Sequence, residues 1–160
     1  MNYIIDGHNL IPNIPGLSLS DLDDEPRMIA IVREFCRLSR SHAELYFDGA
    51  PPVQKQSAGG GLVHVHFVRK GVPADEAIIR LMHQTGRGAR NHTLVSSDHH
   101  IQSEARVLGI PIVESAAFAR KMTQVITSAS ESVGKSEPDL SADEVRQWLE
   151  EFTTGHSQNS

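Results

Sequence analysis

Cysteine is the scarcest reactive residue in this chain, and aromatic residues make up only 5% of it. The single cysteine, Cys36, excludes an internal disulfide. It lies in a helical pattern among apolar neighbours and reads as a small core residue. Without a Cys-x-x-Cys pair or matched Cys/His spacing, a structural zinc site is not expected. No apolar run is long enough to span a bilayer. Met1 to Ile5 has neither a basic leader nor a small-residue cleavage site. The expectation is therefore a cytoplasmic location and no membrane partner. The glycines Gly59 to Gly61 are not followed by the Lys-Ser/Thr of a nucleotide-phosphate loop, so they read as a turn.

An excess of positive charge is also missing. The net charge of −5 at first argues against a nucleic-acid partner. Its distribution changes that. Met1 to Lys121 holds 13 Lys+Arg and 13 Asp+Glu, whereas Met122 to Ser160 holds 2 and 7. The acidity belongs to the tail. If four aspartates of the first part hold metal, what remains there is positive, and a phosphate-binding face is allowed.

A length of 160 residues fits one domain with a real core. Asn2 to Ile5 reads as a buried strand ending in Asp6-Gly7, followed by a loop from Leu10 to Ser20. A helix is expected from Asp24 to Arg40, with Met28, Val32, Phe35, Cys36 and Ser39 on its inner face. Ala43 to Phe47 is a second strand, ending in Asp48-Gly49. Val63 to Val68 alternates as a strand, with His64 and His66 on its polar face. Pro73 opens a helix with Asp75 and Glu76 in its first turn, running to Gln84. Thr85 to His92 is a basic connection. Thr93 to Ser96 is a further buried strand, a helix from Ile101 to Leu108 closes at Gly109, and Pro111 to Val113 is a short strand. Ser115 is expected to cap a helix to Thr127 that turns Phe118, Met122 and Val125 inward.

Strands alternating with helices predict a mainly parallel central sheet covered on both faces, an α/β fold in three α/β/α layers. The expected organisation is a domain over 1–128, a Ser- and Glu-rich linker over 129–140, an amphipathic helix over 141–153 and a disordered tail over 154–160. Ser141 to Glu144 forms a capping box and Leu140 with Val145 a hydrophobic staple. Val145, Trp148, Leu149 and Phe152 make an apolar stripe expected to dock on its own domain, or else on a second copy. A monomer and a homodimer are both open.

In open parallel sheets, sites form at the carboxyl ends of strands. Asp6, Asp48 and Asp98 each follow an apolar strand, and Asp75 opens a helix after another strand and turn. One such aspartate is an ordinary turn or cap residue. Four at one edge repel each other unless a cation joins them. An all-carboxylate set suits a hard divalent ion, Mg²⁺ or Mn²⁺, which can activate water and stabilise phosphoryl charge.

The blocks Tyr3-Ile4-Ile5-Asp6-Gly7-His8-Asn9-Leu10, Tyr46-Phe47-Asp48-Gly49, Ala74-Asp75-Glu76 and Val95-Ser96-Ser97-Asp98, in this order and spacing, resemble the NYN domain family. The resemblance is to its YacP-like branch, within the PIN-like nuclease superfamily. Leu140 to Val145 with Trp148 looks like an extension seen on some bacterial members. The resemblance implies a PIN-like fold and a metal-dependent ribonuclease that leaves a 5′-phosphate and a 3′-hydroxyl. It makes Asp6, Asp48, Asp75 and Asp98 the metal-binding set and gives Asn9 a positioning role, holding Asp6 or a phosphate. Ser97 would bond a ligand or cap a turn, and His8, where many relatives carry an aromatic, would stack on a base, bond a phosphate or face solvent. Arg69 and Lys70 are the foremost phosphate-contact candidates, with Arg87 and Arg90 behind them. The expected partner is single-stranded or loop RNA. The rival readings are a non-catalytic RNA- or ribosome-binding module, and a metal-dependent DNA nuclease or phosphatase.

Overall fold

The computed structural model describes residues 1–17, 24–49, 61–68 and 72–132. Five strands form one sheet: β1 (Asn2–Asp6), β2 (His42–Asp48), β3 (Val63–Val68), β4 (His92–Val95) and β5 (Ile112–Val113). Every pairing is parallel, in the order β3-β2-β1-β4-β5. Helices α2 (Asp24–Ser39) and α5 (Ser115–Ser132) cover one face, and α3 (Ala74–Gln84) and α4 (His99–Leu108) cover the other. The expected three-layer α/β/α architecture is what the chain adopts.

Period-two alternation divides the strands between two cores. Tyr3, Ile5, Leu45, Phe47, Val63 and Val95 pack toward α2 and α5, while Ile4, Tyr46 and Leu94 pack toward α3 and α4. An aromatic triad fixes the first core. The Phe118 ring lies 5.0 Å from Tyr3 and 5.2 Å from Phe35, centroid to centroid. These tilted and edge-on contacts suit ring quadrupoles. They clamp α5 onto β1 and α2.

Strand order places the site. From β1 the chain steps outward to β2 and β3, then α3 returns it across the sheet to β4, on the other side of β1. The order reverses between β1 and β4, where the helices leaving adjacent strands go to opposite faces, the place at which open parallel sheets form ligand sites.

Several local expectations need correcting. Ser39 is exposed, because its hydroxyl donates to the Phe35 carbonyl at 2.7 Å rather than packing inward. Arg40 takes a left-handed φ of 53°, ending α2 with a Ser41 N–H bond to the Cys36 carbonyl at 3.0 Å. The loop expected from Leu10 instead includes the end of a short helix, α1 (Gly7–Leu10), and a 3₁₀ turn, Ile11–Asn13. Helix α5 continues to Ser132, past both the expected stop at Thr127 and the expected start of the linker. The 141–153 helix and the 154–160 tail lie outside the described residues.

Phe118 is fully buried. Phe118→Ala is expected to lower unfolding free energy by about 3–5 kcal/mol, measured by urea denaturation of the full chain.

Candidate active site

Asp6 is the last residue of β1 and the N-cap of α1, its Oδ1 accepting the Asn9 N–H at 3.4 Å. The turn is tight because residue 7 is glycine. A Cβ there would lie 2.4 Å from the Phe47 ring and 2.7 Å from the Tyr46 carbonyl oxygen. This close approach lets α1 fold straight back over the end of β2.

Asp48 ends β2 and is exposed. Its Oδ1 accepts the Ala74 N–H at 2.6 Å, so it satisfies an amide in the first turn of α3 that has no partner within that helix. Asp75 is the next residue, with Oδ1 accepting the Glu76 N–H at 2.9 Å. Asp98 follows β4 and caps α4, its Oδ1 accepting from the His100 N–H at 2.8 Å and the Ile101 N–H at 3.4 Å. Three acidic residues thus accept helix-start amides at the same sheet edge, and Asp75 directly follows the residue whose amide Asp48 accepts.

Burial pushes the Asp6 carboxyl up to about 6 from an ordinary 3.8; the Asn9 amide and His8 counter this, while the charges of Asp48 and Asp98 reinforce it. The strand ends therefore bring Asp6, Asp48 and Asp98 close enough to repel. Among the described residues, no three His, Cys, Asp or Glu side chains are gathered tightly enough to close around an ion. The donor chemistry nevertheless fits a hard cation: all the groups are carboxylates, and Oδ1 of Asp48, Asp75 and Asp98 is held by backbone amides.

The other expected site residues divide. Asn9 lies at the centre of the edge. Its Oδ1 accepts the Ser97 N–H at 2.7 Å and the Ser115 hydroxyl at 2.6 Å. Ser97 Oγ accepts the Ser115 N–H at 3.1 Å. His8 is a strut: its Nδ1 accepts the Asp48 N–H at 3.4 Å and its Nε2 lies 3.1 Å from Glu25 Oε1. Those contacts fit the Nε2–H tautomer and engage both ring nitrogens inside the protein.

Arg87 and Arg90 are placed elsewhere. They sit on a 3₁₀ turn, Gly86–Asn91, that leads into the start of β4. His92 pairs in register with Asn2. Because all strands are parallel, this is the opposite edge of the sheet, roughly 10 Å below the end of β4 at a rise of about 3.3 Å per residue. The basic stretch before β4 therefore starts from the end of the strand away from Asp98. Arg69 and Lys70 lie outside the described residues. His64 and His66 both contact Glu44 across the β2–β3 pair, His64 at 3.1 Å.

Sequence reading missed Ser96, Gln102 and Glu114 and misread Ser115. Gln102, 2% exposed, donates through Nε2 to the Ser96 carbonyl at 2.8 Å and to Glu114 Oε1 at 2.9 Å. Hydrogen bonds from the Ser97 hydroxyl and from Gln102 hold the Glu114 carboxyl below its usual range. The expected cap, Ser115, turns its hydroxyl to Asn9, while Ser97 satisfies its N–H. A glutamine on the inner face of an amphipathic helix was the one available signal. His99 and His100 are exposed in the first turn of α4, directly after Asp98.

The profile of the YacP-like NYN domain matches residues 3–156. The chain belongs to the YacP-like NYN domain family. The fold of this NYN domain is similar to two crystal structures of Rae1 (YacP) from Bacillus subtilis. One superposes with a TM-score of 0.65 at 20% identity, covering 97% of this chain and 85% of the other. The second, a W164L mutant, gives 0.66 at 17% identity, covering 97% and 99%. No curated protein sequence matches significantly. Family membership supports a nuclease-like, RNA-related role, and nucleases of this kind generally depend on divalent metal. Among the described residues, no helix is long and apolar enough to cross a membrane.

A carboxyl raised in the folded state contributes stability present below its unfolded value and lost as pH rises through about 6. Asp6→Asn keeps a capping oxygen and removes the unfavourable charge. In chelator at pH 7 it is expected to stabilise the fold by up to roughly 3 kcal/mol, an advantage that fades toward pH 4. Paired thermal melts at the two pH values check this.

Proposed function

We propose that this NYN domain is a divalent-metal-dependent ribonuclease that hydrolyses RNA phosphodiester bonds. The observation that carries the reading is the Asp6 carboxyl, half-buried and facing the repulsion of Asp48 and Asp98. A fold gains nothing from that repulsion, and a cation would relieve it.

In this reading Asp6, Asp48, Asp75 and Asp98 hold Mg²⁺ or Mn²⁺. When bound, the ion supplies Lewis acidity toward a phosphoryl oxygen and toward a water. The chain's own residues do the placing. Amides of the first turns of α3 and α4 hold one oxygen each of Asp48 and Asp98, so their carboxylates cannot rotate freely. Asn9 ties the β1 end to the β4 end. His8 holds the turn after β1 against α2 through Glu25. A water oxygen forms the new bond to phosphorus, the P–O3′ bond breaks, and the leaving oxygen takes a proton. The products carry a 5′-phosphate and a 3′-hydroxyl.

Single-stranded or loop RNA is the substrate that suits this edge. Its backbone can bend to reach carboxylates lying between two helix N-termini, where a stacked duplex would meet α3 and α4. A DNA nuclease or phosphatase is disfavoured by family membership.

Purified full-length chain is expected to cleave single-stranded RNA with Mn²⁺ or Mg²⁺. Chelator, or the Asp6→Asn/Asp98→Asn double variant, should reduce the rate by at least about 10³-fold, on the scale of losing electrostatic groups at a reacting centre. Gel-resolved cleavage of end-labelled RNA and matched DNA measures it. Full activity in chelator would sink the metal reading, and RNA binding without cleavage would favour a binding module.

A further inference from the structure

We propose that Ser115, in the first turn of α5, is a positioning residue for the acidic edge: through Asn9 it fixes the turn carrying Asp6 against the turn carrying Asp98. The proposal rests on the reading of that edge as a metal-dependent centre.

The link runs through one oxygen atom. The Ser97 backbone N–H can only donate, and it lies 2.7 Å from the terminal amide atom of Asn9. That atom is therefore the oxygen, Oδ1, which settles the orientation of the amide. Ser115 Oγ lies 2.6 Å from the same oxygen, so the hydroxyl is the donor. A single carbonyl oxygen thus receives two short hydrogen bonds, one from the turn after β4 and one from the start of α5. Asn9 belongs to the turn after β1, and its own N–H donates to Asp6 Oδ1. Three segments distant in sequence, Asn9 and Ser115 being 106 residues apart, meet at this atom.

Among the described residues, Asn9 Oδ1 is the one hydrogen-bond partner of the Ser115 hydroxyl. Its side chain is fully buried, where alanine would fill nearly the same space. Helix α5 does not require it as a cap, because Ser97 Oγ takes the Ser115 N–H and the Glu114 carbonyl takes the Phe118 N–H. Ser97, which also bonds the Glu114 carboxylate, is held from the far side. Removing the Ser115 hydroxyl leaves Asn9 Oδ1 with the Ser97 bond alone. The protein keeps its fold, and the Asp6 turn becomes free to shift relative to Asp98.

The test compares the full chain with Ser115→Ala and with Ser115→Thr, which keeps the donor. Mn²⁺ affinity is measured by calorimetry, kcat and KM on single-stranded RNA, and amide proton exchange at Asn9 and Ser97 by NMR. Ser115→Ala is expected to weaken Mn²⁺ by about tenfold or more and to lower kcat with little change in KM. Exchange at Asn9 and Ser97 should quicken while the melting temperature stays near wild type, and Ser115→Thr should restore the affinity. Wild-type Mn²⁺ affinity, kcat and exchange in Ser115→Ala would overturn the proposal, leaving Ser115 as packing. If the wild type itself neither binds Mn²⁺ nor cleaves RNA, the functional reading fails. The exchange rates then decide the positioning role alone: unchanged rates overturn it and faster ones uphold it. Should Ser115→Ala not fold, Ser115→Cys, close in shape with a weak donor, takes its place under the same criteria.

Discussion

Two parallel strands cannot be joined by a hairpin, so α2, α3 and α4 each carry the chain across a face of the sheet before the next strand begins. That constraint orders everything else. It sends all strand ends carrying acids to one edge and all strand beginnings to the other. It also sends the first turns of α3 and α4 to the acidic edge, where their unpaired amides need acceptors. Asp48 and Asp98 supply them. The carboxylates gathered at the edge are thereby parts of the helix ends as well as candidate ligands. A carboxylate that accepts such an amide is held in one orientation by the fold itself.

The edge is electrostatically uncomfortable. Asp6 sits at the reversal of strand order, half-buried, with its carboxyl pushed up to about 6 by burial and, in smaller part, by the neighbouring charges of Asp48 and Asp98. Burial removes the solvation that would stabilise its charge. What offsets the cost lies in the two cores: the Tyr3, Phe35 and Phe118 rings on one face, and Ile78, Met82 and Leu94 on the other. A domain whose strands are fixed from both sides can hold a turn that would otherwise relax. Gly7 shows how tightly: not even a methyl group fits between α1 and the end of β2.

Residues whose position depends on strand direction alone were legible. Asp6, Asp48 and Asp98 each follow an apolar run, and a parallel sheet leaves such residues one place to go. The left-handed Gly109 closing α4 was legible for a similarly local reason. Residues whose roles depend on a partner far along the chain were not. Arg87 and Arg90 were phosphate-contact candidates behind Arg69 and Lys70, but they precede β4 and Asp98 follows it. His8 looked free to meet a substrate until α2 brought Glu25 to it. Ser115 looked like a helix cap, and Ser97 like a ligand group or a turn cap. The two roles were assigned by a long-range contact with Asn9 that no periodicity encodes.

The sequence alone determined the alternation of strand and helix, the family, and which acids stand at strand ends, because these follow from local apolar patterning and short motifs. The tertiary structure alone decided which oxygens those acids leave available, which charged residues share their edge, and that one asparagine joins three segments. The physical reason is range. Apolar periodicity is set by neighbours a few residues apart, whereas a hydrogen bond between Asn9 and Ser115 exists only after the sheet has closed and brought both ends of the domain together.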